Sequence, residues 1–342
     1  MRDIGIDLGT SSVLVYMKGK GIVLEEPSVL ALDKRDGQVL CYGRDAWLMS
    51  GRTPPHIEVV TPLKDGVISR YELTLQMLRY FIEKACGRFL IKPRVVVCVP
   101  SGITEVEGRA VHDAATQAGA RRTYLIEEPV AAALGAGIDI ASEKGCLLAD
   151  IGGGTSDIAV MSAGKIIVSE SIKVAGDRFD EAIIRYVRRK YNILIGERTA
   201  ETVKRSIGTV WQRDEVKTAV AKGRCLAEGL PKPVTLSTNE MVEALEEPIT
   251  AIAEAICSVI ERTPPELLKD VTEQGIVLTG GGSLLYGIDQ LISNVTGIPT
   301  RVADDPLQCV AKGTGLSLDR ITDIPEGSVV ITRSKQQQRF LG

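Results

Sequence analysis

Apolar and polar positions alternate in the same way at two places in the chain. At 4–8, Ile4, Ile6 and Leu8 are apolar against Gly5 and Asp7, the pattern of a strand with one buried face. The turn Gly9-Thr-Ser-Ser12 follows, and Val13-Leu-Val-Tyr16 reads as a returning strand. At 146–161 the pattern recurs, with Cys146-Leu-Leu-Ala-Asp150-Ile as strand, Gly152-Gly-Gly-Thr-Ser156 as turn and Asp157-Ile-Ala-Val-Met161 as return. Each hairpin has an aspartate near the end of its first strand, then glycine within two residues, then threonine. The repetition predicts two domains of like topology, each opening with a hairpin whose tip faces a shared cleft.

The remaining pattern is α/β. Arg94 to Val99 reads as a buried strand ending at Pro100. Thr104-x-x-Glu107 is a capping box, and Val106, Ala110, Ala114 and Ala118 keep helical period to Gly119. Thr123 to Ile126 is a strand running into Glu127-Glu128-Pro129, with proline suited to a first helical turn. Ile249, Ile252, Ala253, Ile256, Val259 and Ile260 make one helical stripe that stops at Thr263-Pro264-Pro265. Gly275 to Thr279 is a further strand, and Gly280-Gly-Gly-Ser283 leads into a helix expected from about Leu284. Segments 30–70 and 180–245 carry more charge and fewer glycines, and read as insertions that widen the two domains.

Composition narrows the chemistry. The 342 residues fit two domains of ordinary size, and 44% hydrophobic with 25% charged residues excludes a disordered chain. Lysine and arginine number 41 against 44 acids, so the basic excess of a phosphate-gripping nucleic-acid binder is missing and no nucleic-acid partner is expected. The longest apolar runs, such as Val95 to Val99, are far shorter than the ~20 residues of a membrane span. Asp3 follows Arg2 at once, so no secretory signal is read. Cys41, Cys86, Cys98, Cys146, Cys225, Cys257 and Cys309 are scattered without a Cys-x-x-Cys pair, which reads as small reduced core residues rather than disulfides or a zinc site. Two histidines, His56 and His112, are too few for a histidine-rich metal site, and His112 beside Asp113 reads as a surface helix residue. What remains is chemistry by carboxylates, glycine-rich turns and a hard metal ion.

Three glycine turns at strand ends, Gly9 to Ser12, Gly152 to Thr155 and Gly280 to Ser283, allow backbone N–H groups to close round phosphates. The P-loop and dinucleotide-binding glycine patterns are both missing. Asp7 and Asp150, on opposing hairpins, suit a magnesium ion held through carboxylates, water and phosphate oxygens. The alternative is that each aspartate merely caps its own turn. Glu127 and Glu128 sit at a strand-to-helix junction. Either complements the helix N-terminus, or one of them orients or deprotonates a water attacking a γ-phosphate.

Ile4-Gly-Ile-Asp-Leu-Gly-Thr10, Ile126-Glu-Glu-Pro-Val-Ala-Ala-Ala133, Asp150-Ile-Gly-Gly-Gly-Thr155 and Leu278-Thr-Gly-Gly-Gly-Ser-Leu-Leu285 occur in that order. Together they resemble the actin, heat-shock chaperone and sugar kinase ATPase superfamily. Gly19-Lys-Gly-Ile-Val23, Glu26-Pro-Ser-Val29, Pro62-Leu-Lys-Asp-Gly-Val-Ile68, Ile195-Gly-Glu-Arg-Thr-Ala-Glu201 and Glu261-Arg-Thr-Pro-Pro-Glu-Leu267 narrow the resemblance to the MreB/Mbl family of bacterial actins, over roughly residues 2–320.

That resemblance implies an α/β, actin-like two-lobed ATPase fold, each lobe a duplicated ribonuclease H-like core of sheet and helices plus a smaller subdomain. Lobe I is expected at 1–140, with core 1–30 and 72–140 and insertion 31–71. Lobe II is expected at 141–325, with core 141–180 and 246–325 and insertion 181–245, followed by a tail at 326–342. ATP or ADP with Mg2+ is the implied ligand. Thr10, Ser11 and Ser12 are then the first phosphate loop, and Gly152, Gly153, Gly154 and Thr155 the second. Gly281, Gly282, Ser283 and Leu284 lie on the adenosine side. Glu201 and Lys204 match the purine and ribose contacts, Arg205 stacks on the base, and Gly176 approaches the sugar. Glu128, directly before proline, takes the water-orienting role, helped by Asp150 and Thr155, while Asp7 holds magnesium through water.

The implied function is slow ATP hydrolysis coupled to head-to-tail self-assembly. The implied place is the cytoplasm, peripheral at the inner membrane face, where such filaments organise wall synthesis with cell-wall elongation proteins and so help set rod shape. The chain starts at its first strand without an amphipathic leader, so Phe89, Leu90 and Ile91, beside Lys92 and Arg94, are the expected membrane contact. The first loop reads Gly-Thr-Ser-Ser where the family commonly has Gly-Thr-Ala-Asn, which puts the hydrolysis rate in question and leaves binding intact. A metabolite kinase of the same superfamily needs a further base for a substrate hydroxyl. A chaperone needs a peptide-binding domain after the ATPase.

Overall fold

The computed structural model describes residues 3–87 and 92–319. Phe89, Leu90 and Ile91 and the expected tail lie outside them. Among the described residues no helix is long and apolar enough to cross a membrane.

The predicted repeat extends well past the hairpins. One five-stranded sheet has the strand Ile4–Leu8 at its centre, with Ser12–Met17 and Gly21–Pro27 antiparallel on one side and Arg94–Val99 and Arg122–Glu127 parallel on the other. The second sheet is built the same way round Cys146–Ile151. Ser156–Ser162 and Lys165–Ile172 run antiparallel to it on one side, and Ile276–Thr279 and Thr300–Val302 parallel on the other. Asp7 pairs across its hairpin with Leu14, and Asp150 with Asp157, so both aspartates lie at the tip end of a central strand.

Strand alternation allots the core. Val95, Val97 and Val99 pack into an outer core beneath Leu78, Phe81 and Ile82, while Val96 and Cys98 face the other way. Leu147, Ala149 and Ile151 likewise enter the outer core of the second lobe, and Cys146 and Leu148 turn inward. The inward residues of both sheets meet in one cluster with Ala131, Ala132, Ala133 and Val310. The two lobes therefore share apolar contact as well as chain connections.

Two helices make that junction. Glu128–Gly135 leaves the first sheet and packs against the second, whereas Cys309–Ser317 follows the second sheet and packs against the first. They cross with backbone in contact: a Cβ on Gly313 would run into the Ala131 carbonyl oxygen, and one on Gly135 into that of Cys309. Glycine is required here for proximity, not for an unusual φ.

Each lobe carries a smaller sheet. Leu30–Asp33, Val39–Tyr42 and Ile57–Val60 form one with the helix Gly43–Met49. Ile193–Leu194, Thr218–Cys225 and Pro231–Ser237 form the other with the helix Glu197–Ile207.

Several expectations shift in detail. The stripe of Ile249 to Ile260 is the second half of a helix Thr238–Arg262, which starts at a capping box of Ser237 and Glu240 and runs through a buried Pro248. The capping box at Thr104 is complete, with both reciprocal bonds made. Its helix buries Gly108, Val111, Ala114, Ala115 and Ala118 and leaves Val106 79% exposed, so the apolar face is rotated from the one predicted. The helix expected near Leu284 begins at Ile288. Gly281–Leu284 is a short 3-10 turn, and Gly287 in a left-handed conformation separates the two.

Gly313→Ala should destabilise the protein by at least ~1–3 kcal/mol, because the added methyl must push two helix backbones apart. Gly108→Ala, where the methyl meets only Leu125 at 3.7 Å inside a helix, should be neutral or stabilising. Urea unfolding of the two variants distinguishes these outcomes.

Candidate functional site: facing glycine turns over buried carboxylates

The tips of the two hairpins touch. A Cβ on Gly153 would overlap the Ser11 side chain, and one on Gly154 would come within 2.6 Å of Thr10 Oγ1. The glycines of the second turn thus leave room for the hydroxyls of the first. Ser11 Oγ also donates to Asp177 Oδ1 at 3.1 Å, joining the lobes. The second turn is closed by the Gly152 N–H on the Thr155 carbonyl, at 2.9 Å. The first is held by Ser28, whose N–H reaches the Ser11 carbonyl at 3.0 Å and whose hydroxyl reaches the Gly9 carbonyl at 2.6 Å.

A third element enters between them. Leu63–Lys64 and Val67–Ile68 form a tight hairpin whose central residues, Asp65 and Gly66, both have positive φ, 52° and 76°. The Gly66 N–H donates to Thr10 Oγ1 at 3.0 Å, and a Cβ there would sit 3.1 Å from the Thr155 methyl. This hairpin lies in the expected insertion 31–71, for which the sequence implied no site role. Asp-Gly between apolar residues was the available signal.

Below the turns lie four carboxylates, Glu128, Asp150 and Asp157 buried and Asp7 partly so. Asp7 receives a weak hydrogen bond from the Cys98 thiol at 3.3 Å, and burial raises its pKa to about 6. Asp150 accepts from the Thr279 hydroxyl at 2.7 Å. Burial, opposed by that bond and reinforced by the charges of Asp7 and Asp157, raises its pKa to about 7. Neither caps its own turn, so the local alternative for these aspartates does not hold. Glu128 is pushed well above the usual carboxylate range, first by burial and then by the charges of Asp157, Asp150 and Asp7. Asp157, which sequence analysis treated as strand, accepts from both the N–H and the hydroxyl of Ser101, at 2.8 and 2.9 Å, across the lobe boundary. Burial raises its pKa as well. Glu127 is buried too, as the N-cap of the helix Glu128–Gly135. Of the two glutamates, it is Glu128 whose proton affinity answers to all three aspartates.

The hydrogen-bond partners of Asp7 and Asp150 are a thiol and a hydroxyl, and those of Asp157 are hydroxyls, an amide and the Glu128 carboxyl, none of them cationic. Two such oxygen donors from opposite lobes fit magnesium, which takes one or two carboxylates and completes its shell with water and phosphate. Among the described residues no group of three or more His, Cys, Asp or Glu forms a closed metal cage.

The other expected residues lie on the second lobe. Gly176 N–H donates to the Gly152 carbonyl at 3.1 Å and Asp177 N–H to that of Gly153 at 2.8 Å. Lys204 Nζ binds the Gly176 carbonyl at 2.9 Å and Asp180 at 2.8 Å. Glu201, one turn back on the same helix, pairs with the solvent-facing Arg205 at 3.0 Å. Gly280 and Gly282 stand against Ile151, both too close for a side chain, Gly281 faces Leu307, Ser283 donates its hydroxyl to the Gly280 carbonyl at 2.6 Å, and Leu284 is exposed.

The sequence matches the profile of the MreB/Mbl protein over residues 1–326. It is 49% identical to the cell shape-determining protein Mbl of Bacillus subtilis over 95% of this chain and 98% of that one. It is 50% identical to the cell shape-determining protein MreB of Escherichia coli over 94% of each. The chain belongs to the MreB/Mbl family. Its fold agrees with a crystal structure of MreB5 of Spiroplasma citri bound to ADP, with a TM-score of 0.90 at 39% identity, covering 94% of this chain and 97% of that one. It also agrees with the MamK double helical filament at a TM-score of 0.80 and 22% identity, over 95% and 99% of the chains, a likeness of fold. The actin-like two-lobed architecture expected from the motifs is therefore present in this MreB/Mbl protein.

Because the pKa values of Asp7 and Asp150 lie above 3.8, their protonated forms favour the folded state. That stabilisation is complete below pH ~4 and is lost as pH rises through about 6 and 7. The melting temperature of the ligand-free protein should therefore fall between pH 5 and 8, and Asp150→Asn should flatten the fall. Thermal unfolding across that range, without nucleotide or divalent cation, checks this.

Proposed function

We propose that this protein is a nucleotide-dependent, filament-forming bacterial actin that binds and slowly hydrolyses ATP. The observation that carries the reading is the meeting of Asp7 and Glu128 from one lobe with Asp150 and Asp157 from the other, under facing glycine turns. MreB5 of Spiroplasma citri, similar in sequence and fold, was crystallised with ADP and with AMPPNP.

Thr10, Ser11 and Ser12 with Gly152 to Thr155 surround the phosphates. Gly176, Glu201, Lys204 and Gly281 to Leu284 contact the nucleoside, and Arg205 rests on the base. Asp7 and Asp150 would hold magnesium, which supplies charge neutralisation on the phosphates when bound. Glu128 orients the attacking water by accepting a hydrogen bond from it at its carboxylate, a task suited to a buried acid with raised proton affinity. Asp150 and Thr155 fix the surroundings of that water. Exclusion of bulk water by the touching turns strengthens each of these interactions.

Filament formation is supported by the fold shared with the MamK double helical filament. A head-to-tail contact that does not close on itself is the symmetry such a polymer needs. Cell-shape determination is what the Mbl and MreB relatives are named for; for this chain the proposal adds action beside the inner membrane and wall-elongation partners. Phe89, Leu90 and Ile91 remain the proposed membrane contact.

The protein should pellet in ATP with magnesium and stay in the supernatant in ADP, and lipid vesicles should increase the pelleted fraction. Glu128→Gln should slow phosphate release by ~100-fold or more and leave ATP binding intact. Normal turnover in that variant removes the assignment, and failure to pellet in any nucleotide removes the filament reading.

A further inference from the structure

A second contact bridges the lobes away from the carboxylates. The guanidinium carbon of Arg198 stands 4.1 Å from the ring centroid of Trp47. Trp47 lies on Gly43–Met49, in the smaller subdomain of the first lobe, and Arg198 in the first turn of Glu197–Ile207, in that of the second. Nothing in its own helix explains where Arg198 is. A cation in a first turn opposes the helix dipole, and its Nη1 is buried without a hydrogen-bond partner. The negative face of the indole is what receives the charge.

The helix that carries Arg198 also carries the nucleoside side of the cleft. Lys204 is six residues further on, about 9 Å along the axis. Its ammonium holds the Gly176 carbonyl, and the Gly176 N–H holds the Gly152 carbonyl of the second glycine turn. One rigid element is thus tied at one end to the opposite lobe and at the other to the phosphate-facing backbone.

We propose that Trp47 and Arg198 form a latch across the cleft that retains bound nucleotide, so that release waits on breaking this pair. The proposal rests on the nucleotide reading of the cleft. Separating the lobes far enough to let a triphosphate out pulls the guanidinium off the ring and returns both to water. A partly desolvated cation–aromatic pair of this kind corresponds to roughly 2- to 30-fold in rate. Both residues lie outside the proposed catalytic and binding set, so retention should change while the chemistry persists.

The test uses the full chain and a fluorescent ATP analogue, chased with excess ATP in a stopped-flow instrument. Arg198→Gln and Trp47→Leu should each speed release within that range, and the double variant should be no faster than the faster single. Additive effects, or release at the wild-type rate, overturn the latch. A readout without nucleotide is available because the chain has two tryptophans, Trp47 and Trp211. In a Trp211→Phe background, Arg198→Gln should shift the Trp47 emission, and unchanged emission overturns the contact itself. An emission shift in a protein whose parent fails to bind the analogue would overturn the nucleotide reading, and the retention role with it, while leaving the contact standing.

Discussion

Four carboxylates enclosed in one space between two lobes are the constraint on which the remaining structure turns. Each would lose most of its hydration on burial, and each raises the cost of ionising the others. Local hydrogen bonds offset little of that cost for Asp7, which has a thiol, and Asp150, which has a single hydroxyl, whereas Asp157 has Ser101. The arrangement is stable with protons bound or with a cation bound, and poorly stable with neither. On the proposed reading, such a site receives positive charge, and its occupancy is linked to the relative position of the lobes. Asp7 and Glu128 move with one lobe and Asp150 and Asp157 with the other, so rotation apart disperses the cluster.

The rest of the architecture serves that approach. Gly135 and Gly313 let the two connecting helices cross with their backbones in contact, which fixes the pivot. Gly153 and Gly154 let the second turn reach the hydroxyls of the first, which fixes how far the lobes can close. Ser101 on Asp157, Ser11 on Asp177 and Arg198 on Trp47 tie the lobes together by side chains along the cleft. Each tie is individually modest, on the order of 1 kcal/mol, which suits the proposed exchange of ligand by separation of the lobes.

Much of this was legible in the sequence, because period-two alternation and glycine turns are local signals. The twin hairpins, the positions of Asp7 and Asp150 and the strand of Val95 to Val99 all followed from a few adjacent residues. Glu128 was separable from Glu127 only through the resemblance. What escaped was non-local. Asp157 reads as one polar residue in an apolar strand, and its role depends on Ser101 and Glu128 from the other lobe. Gly66 acts through Thr10 and Thr155, far from it in sequence. The helix Thr238–Arg262 was read only from Ile249 because its first half falls in a stretch read as a charged insertion, although Met241, Ala244, Leu245 and Pro248 are buried and carry the helix through the proline. Arg198 fell inside a stretch that carried the resemblance but gave no sign of its contact, since an arginine near a helix start is ordinary until its ring partner is known.

The two lobes share one topology and yet divide the chemistry unequally. The first contributes side chains to the contact between the turns, the hydroxyls of Thr10 and Ser11, whereas the second contributes backbone stripped of side chains at Gly153 and Gly154. A symmetric pair of hydroxyl-bearing turns would collide before the carboxylates could meet. A symmetric pair of bare turns would close further with nothing to limit the approach. Divergence of one turn toward bulk and the other toward glycine therefore sets a stop at a defined separation. That separation is the one at which Glu128 feels Asp7, Asp150 and Asp157 together. On this argument the two extra glycines of the second turn, Gly153 and Gly154, matter to the proposed chemistry as much as the acids, because they decide whether the acids act as a group.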